Sequence, residues 1–269
     1  GELIKKIRYG ITEGDTRGWS WDGKYNEEGQ PKGEWESFDE NGNLLSRENY
    51  KNGERFGLYQ KFYINGNIER KGKYVKNSLE DGIWEYFDDN GVVEKKIHYE
   101  DGQQGLYEIF NKREIQKGHF KNDKREGIWE YFDNNGVLEK KIHYEDGKQG
   151  LYEGFDKQGR LIKIGKYNVR GDKHGLWETF HENGQTEREE HYTNGKRNGL
   201  WKKFHENSEL ETRGKYNNDK QEGIWEYFDN NGVLEKKIHY EDGQLFSKQN
   251  YKNGKEVSKT SFEYYDNGQ

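Results

Sequence analysis

The chain has 269 residues, 36% charged and only 29% apolar, with a net charge of -6 from 45 basic and 51 acidic side chains. Leu, Ile, Val and Phe together fall below the roughly one-fifth at which an aliphatic core becomes hard to build, and the absence of Cys excludes disulfides, thiolate catalysis and thiolate zinc sites. Order must therefore come from 20 Tyr, 13 Phe and 8 Trp; with no Ala, one Pro and 35 Gly, the expected fold class is all-β.

Residues 1–32 form an irregular start. The half-unit LIKKIRYG opens it, followed by Gly18-Trp19-Ser20-Trp21 and the sole Pro31. Because the chain begins mid-unit at Gly1 without Met, natural sequence is expected upstream. Over residues 33–244 a Gly standing two positions before an aromatic recurs at Gly33, Gly57, Gly82, Gly105, Gly127, Gly150, Gly175, Gly199 and Gly223, spaced by 22 to 25 residues. This makes nine tandem units. The blocks at Gly82, Gly127 and Gly223 are nearly identical, GIWEYFDNNGVLEKKIHYEDG in the last two. Residues 245–269 read as a partial unit or cap, with a strand at Leu245 to Tyr251 and then Phe262, Tyr264 and Tyr265.

Each unit reads as strand, turn, strand, loop. At Gly127 the first strand is Ile128 to Phe132, and Asp133-Asn134-Asn135-Gly136 supplies the turn, since Asn and Gly accept the positive φ that tight hairpins demand. In the second strand Leu138, Lys140, Ile142 and Tyr144 share one face, and Val137, Glu139, Lys141 and His143 take the other. The connector Glu145 to Gln149 is expected as a loop. Trp129 and Phe132 lie three positions apart, so either both faces carry aromatics, the favoured reading, or a bulge re-aims one of the rings. Gly72, Gly165 and Gly214, at the middle of second strands, leave space over which a neighbouring ring can lie. The units predict an elongated, twisted, single-layer antiparallel sheet, a ribbon of about 24-residue hairpins, with strands about 4.8 Å apart. Charged edges favour a monomer or weak dimer.

The eight His invite a metal reading, but His98, His143 and His239 occupy one equivalent place in duplicated blocks. A solvated or cross-strand role explains them; His181 and His205, one repeat apart, are the weak metal pair. The Asp-Asn-Asn-Gly and Glu-Asp-Gly loops offer oxygens to calcium, yet turn chemistry uses the same residues. No phosphate-binding loop or catalytic arrangement stands out, so neither cofactor nor catalysis is expected. Lys and Arg alternate with Asp and Glu, which argues against nucleic acid and acidic lipid as partners.

The repeated ring at the third position of each unit remains: Trp35, Tyr59, Trp84, Tyr107, Trp129, Tyr152, Trp177, Trp201 and Trp225. Such rings can be core, stacking along the sheet. A ladder of rings flanked by polar groups is also a candidate binding face for a peptide, a helix or a glycan.

The pattern G-x-[WY]-x-x-F-x-x-N-G, then Leu, then Tyr, resembles the MORN repeat in its bacterial variant form over about residues 18–257, departing at Arg113 and Ser208 where the turn Gly is missing. The resemblance implies antiparallel hairpins and a family of scaffolds, protein-binding modules and sometimes membrane-associated elements. It supplies no catalytic residues. The expected function is a non-catalytic scaffold for a protein partner, exported or at a bacterial cell surface. A module for glycan or cell wall, or an antitoxin-like or immunity-like protein, is the alternative.

Overall fold

Two kinds of tight turn alternate along the chain and lay its strands side by side. In the first, one Asp or Asn side-chain oxygen accepts the backbone N–H groups two and four residues on. Asp88 Oδ1 takes Asn90 N at 3.0 Å and Val92 N at 2.8 Å, and Asp39, Asp156, Asn168 and Asp229 do the same. The second is a two-residue turn such as Asp101-Gly102 or Asn194-Gly195, with φ of 48° and 79°, and 50° and 85°. Asn, Asp and Gly tolerate these conformations. The connector expected as a loop is thus a hairpin turn. Strand Leu138–Glu145 is followed by Lys148–Phe155 with only Asp146 and Gly147 between them, and the first strand of that repeat runs Lys124–Phe132, longer than its aromatic run.

The computed structural model describes residues 7–9, 19–111 and 114–262; Gly18, Arg113, Tyr264 and Tyr265 lie outside these. The fold is all-β, in two units divided after Gly136. In the first, consecutive strands pair antiparallel from Ile7–Tyr9 to Lys124–Phe132; in the second they do so from Leu138–Glu145 to Lys255–Ser261. Each is an open sheet of tandem hairpins, not a barrel. A three-residue 3-10 turn, Lys76–Ser78, interrupts the strands of the first. Strand Trp19–Tyr25 pairs with Pro31–Phe38, which Pro31 opens, so regular pairing reaches into residues 1–32.

The repeat's leading Gly marks a bulge. Lys71 faces Glu85 and Lys73 faces Asp81, so Gly82, Ile83 and Trp84 together oppose Gly72. Gly82 holds a φ of 67°, in the left-handed region that favours Gly. The bulge lays the Trp84 indole across Gly72, where its Nε1 donates to the Lys73 carbonyl at 3.2 Å. Gly23 under Trp35, Gly118 under Trp129, Gly165 under Trp177 and Gly214 under Trp225 repeat this, as expected for Gly72, Gly165 and Gly214. On the other neighbouring strand Tyr59 faces Gly72 in register, and its ring meets Trp84 at 5.5 Å. Tyr74 closes the cluster edge-on, 5.0 Å from Trp84 and 5.6 Å from Tyr59.

Packing therefore repeats every two hairpins. Alternate second strands put Glu48, Ile97, Ile142, Glu190 and Ile238 where the others have Gly. Trp units sit on Gly and the units between carry Tyr, except that Trp201 stands where alternation calls for Tyr.

Candidate functional site

Of the nine rings at the third position, Trp35, Tyr59, Trp84, Trp129, Trp177 and Trp225 are buried, and Tyr107, Tyr152 and Trp201 are half-buried. One side of each Trp on Gly is closed by backbone, and cations lie over Trp84, Trp129 and Trp177. Arg70 lies 5.0 Å over Tyr59 and 5.6 Å over Trp84, Arg125 4.2 Å over Trp129, and Lys173 4.6 Å over Trp177. The six buried rings are core. Trp201 has no Gly beneath it; its Nε1 donates to Glu190 Oε1 at 3.1 Å, and Glu190 Oε2 accepts Tyr192 Oη at 3.1 Å. Burial, with the Glu190 charge adding to it, pushes the Tyr192 hydroxyl up to about 12.

The opposite face is open, and alternation puts there every residue adjacent to a buried ring. Along its middle runs a ladder of cross-strand charges. Glu85 meets Lys71 at 2.9 Å and Lys96 at 3.2 Å, Lys117 meets Glu130 at 3.1 Å, and in the second unit Glu226 meets Arg213 at 2.6 Å and Lys237 at 3.0 Å. Hydrogen bonding from Lys71 outweighs burial and holds the Glu85 carboxyl below its ordinary range; at Glu226 burial pulls the other way, but Lys237 and Arg213 prevail and lower it. Phe87 flanks the ladder with Lys71 Nζ 5.2 Å over its ring, so aromatics occupy both faces, as the three-residue spacing of Trp and Phe predicted.

On the other flank stands a row the sequence reading missed: the residue between each leading Gly and its ring. Leu58 is 70% exposed, Ile83 62%, Ile128 56% and Ile224 57%; Leu176 and Leu200 are also exposed. Facing them in register are Lys73, His98, His191, Lys215 and His239. The signal was present. An aliphatic residue recurs at a position whose alternation with a buried ring forces it outward, where a polar residue costs nothing.

His98, which faces Ile83 in register, is exposed, and so is His143, as the duplicated blocks suggested. The ring nitrogens of His181 and His205 sit 2.9 Å and 3.2 Å from the carbonyls of Phe204 and Phe228, tying each turn to the next repeat as Tyr63 Oη does in donating to Phe87 O at 2.8 Å. Among the described residues no group of His and carboxylates is arranged to hold a metal ion. The acidic turn side chains are engaged by backbone N–H groups. Among the described residues, equivalent open clefts occur in the two units. One is lined by Tyr63, Glu69, Tyr86, Phe87, Glu94 and Lys95; His205, Glu211, Tyr227, Phe228, Glu235 and Lys236 match these in the other.

Described as the MORN repeat variant, one family matches residues 31–52, 80–101, 125–146, 173–194, 197–218, 221–242 and 235–253, together more than half of the chain. The matched hairpins are those built on Trp35, Trp84, Trp129, Trp177, Trp201 and Trp225, and the hairpins of Tyr59, Tyr107 and Tyr152 fall between them. No curated protein matches the chain. A solved structure titled "Crystal Structure of TcdB2-TccC3 without hypervariable C-terminal region" is similar at 12% identity and a TM-score of 0.19, over 87% of this chain and 16% of that one. MORN repeats are commonly non-catalytic modules that bind protein or membrane. On the family match and its seven segments, the chain belongs to the MORN repeat variant family.

Proposed function

We propose that this protein is a non-catalytic scaffold that docks a protein partner on the face opposite its buried rings. The observation that carries this reading is the row of exposed Leu and Ile beside a ladder of charges already paired within the sheet. Apolar side chains repeated on an open face favour burial against a partner. Cations such as Lys71, Lys96 and Lys237 are engaged by carboxylates, which leaves no basic stripe for phosphate on this face among the described residues. An exported or cell-surface setting in a bacterium belongs to the same proposal and rests on composition, the absence of Cys and the abundance of Asn, Lys, Tyr and Gly.

The test is affinity capture with the whole chain, comparing wild type with the pair Ile83→Lys and Leu58→Lys. Loss of the captured protein in this pair, with the β-sheet circular dichroism unchanged, is the expected result. A second reading, glycan binding, draws on the two equivalent clefts and their Tyr and carboxylate linings. Retention on purified wall glycan that is abolished by Tyr227→Ala and unaffected by the Ile83 and Leu58 changes would replace the first reading with the second.

A further inference from the structure

Glu178 occupies the ladder position that Glu85 and Glu226 occupy in other repeats, but its neighbours differ. Glu85 and Glu226 each receive a cation from both adjacent strands. The residues that face Glu178 in register are Ile164 and Glu189. Glu189 turns to Lys202 at 2.8 Å. Glu178 has no ion pair or side-chain hydrogen bond among the described residues, and neither has Glu153, which stands on the far side of Ile164 with Lys141 facing it on its other strand. Carboxylates directly opposite one another destabilise a sheet. Here both cations are missing around one carboxylate, and an isoleucine separates it from a second. Exposed Leu176 and Leu200 of the aliphatic row, and half-buried Leu151 at the equivalent position one repeat earlier, run alongside.

We infer that this part of the second unit docks a basic amphipathic helix of a protein partner, whose lysines or arginines supply the two cations the ladder lacks. Charge complementarity selects a cationic occupant, and spacing selects a helix. Glu153 and Glu178 lie two strands apart, about 9.6 Å, and so do Leu151 and Leu176. Residues i and i+7 of a helix lie on one face about 10.5 Å apart. A helix crossing the strands sets an apolar heptad row along Leu151, Leu176 and Leu200, and its basic flank over Glu153, Ile164 and Glu178. This inference rests on the docking face proposed above and names the partner's chemistry there.

The probe is a synthetic three-heptad helical peptide with Leu on one stripe and Lys on its flank, titrated by fluorescence anisotropy against the full chain. The counterpart with Glu for Lys serves as control. Wild type binds the Lys peptide, more weakly as salt rises, and does not bind the Glu peptide. Ile164→Lys, which restores the cation that Lys71 provides to Glu85, and Glu178→Gln each weaken binding by about tenfold or more, whereas Glu85→Gln in the first unit leaves it unchanged. Ile164→Lys keeps the wild-type melting temperature or raises it, so lost binding is not lost folding. Equal binding by wild type and Ile164→Lys overturns the inference, as does no binding by wild type. Self-association of wild type that Ile164→Lys abolishes, without peptide binding, makes a second copy the occupant and overturns it too. A captured partner that depends on Ile83 and Leu58 but not on Ile164 leaves the docking face standing and removes only the helix site.

Discussion

The Trp84 indole lies flat on Gly72, so close that a Cβ added to Gly72 would stand 2.1 Å from the ring's Cδ2. The contact is possible only because the bulge at Gly82 aims Trp84 across the strand beside it. Among the described residues five such Trp on Gly pairs, three in the first unit and two in the second, fix the register of strands that carry few aliphatic residues.

Gly72→Ala is therefore expected to destabilise the protein. Overpacking of this kind costs about 1–3 kcal/mol, where Gly to Ala at an unstrained site stabilises by about 0.4–1 kcal/mol. Urea unfolding followed by Trp fluorescence measures it. A variant as stable as wild type would show that the indole moves away at no cost.

Glu190 and Trp201 form a coupled substitution of the Ile97 and Tyr107 pair found elsewhere, and the coupling is measurable. Glu190→Ile alone leaves the half-buried Trp201 Nε1 and Tyr192 hydroxyl without their acceptor, a loss of about 1 kcal/mol, at the low end of the cost for a donor left unsatisfied. Adding Trp201→Tyr removes one of those donors. The double-mutant cycle is expected to show non-additivity of about 0.5–3 kcal/mol, and strict additivity would mean that Glu190 does not hold the indole.

Stability is expected to fall at both ends of the pH scale, for opposite reasons. Glu85 and Glu226 have folded carboxyls held below the ordinary value of 4.5, so their contribution is present above that value and is lost as pH falls through the folded pKa. Burial, the largest cause, raises the hydroxyls of Tyr74, Tyr99 and Tyr227 above 10, so theirs is present below pH 10 and lost as pH rises through the folded pKa. Urea midpoints across the range, with ultraviolet titration of tyrosinate, check both limbs. Lys71→Met with Lys96→Met is expected to flatten the acid limb near Glu85.

Neighbouring residues on opposite faces should separate folding from docking. Ile224→Thr, at an exposed position, is expected to change stability by no more than about 0.5 kcal/mol. Trp225→Ala, beside it in the core, is expected to cost about 3–5 kcal/mol. Thermal melts of the two variants make the comparison, and equal losses would contradict the assignment of faces.

Hairpins, turns and the family were legible in the sequence because local chemistry decides them. Asn-Gly and Asp-Gly pairs accept left-handed conformations, and alternation assigns Ile142 and Tyr144 to one face and His143 to the other whatever surrounds them. Gly72, Gly165 and Gly214 could be recognised as seats for rings for the same reason, since a missing Cβ is a local property. The connectors were misread because Glu-Asp-Gly-Lys suits a loop as well as a two-residue turn, and only the pairing of the flanking strands distinguishes them.

What lies beside what across strands was decided by the tertiary structure. The buried third-position rings are core because a bulge lays Trp35, Trp84, Trp129, Trp177 and Trp225 each over the Gly of one neighbouring strand, and at Trp84 a ring two strands away, Tyr59, joins it, so that the packing period doubles. Whether Glu85 is paired and Glu178 is not depends on residues fourteen positions before and eleven after each carboxylate. Register alone brings them together, which composition does not reveal. The sequence by itself determined the hairpin and its turns; the register of each bulged strand on the next determined which face is filled with rings and which is left open.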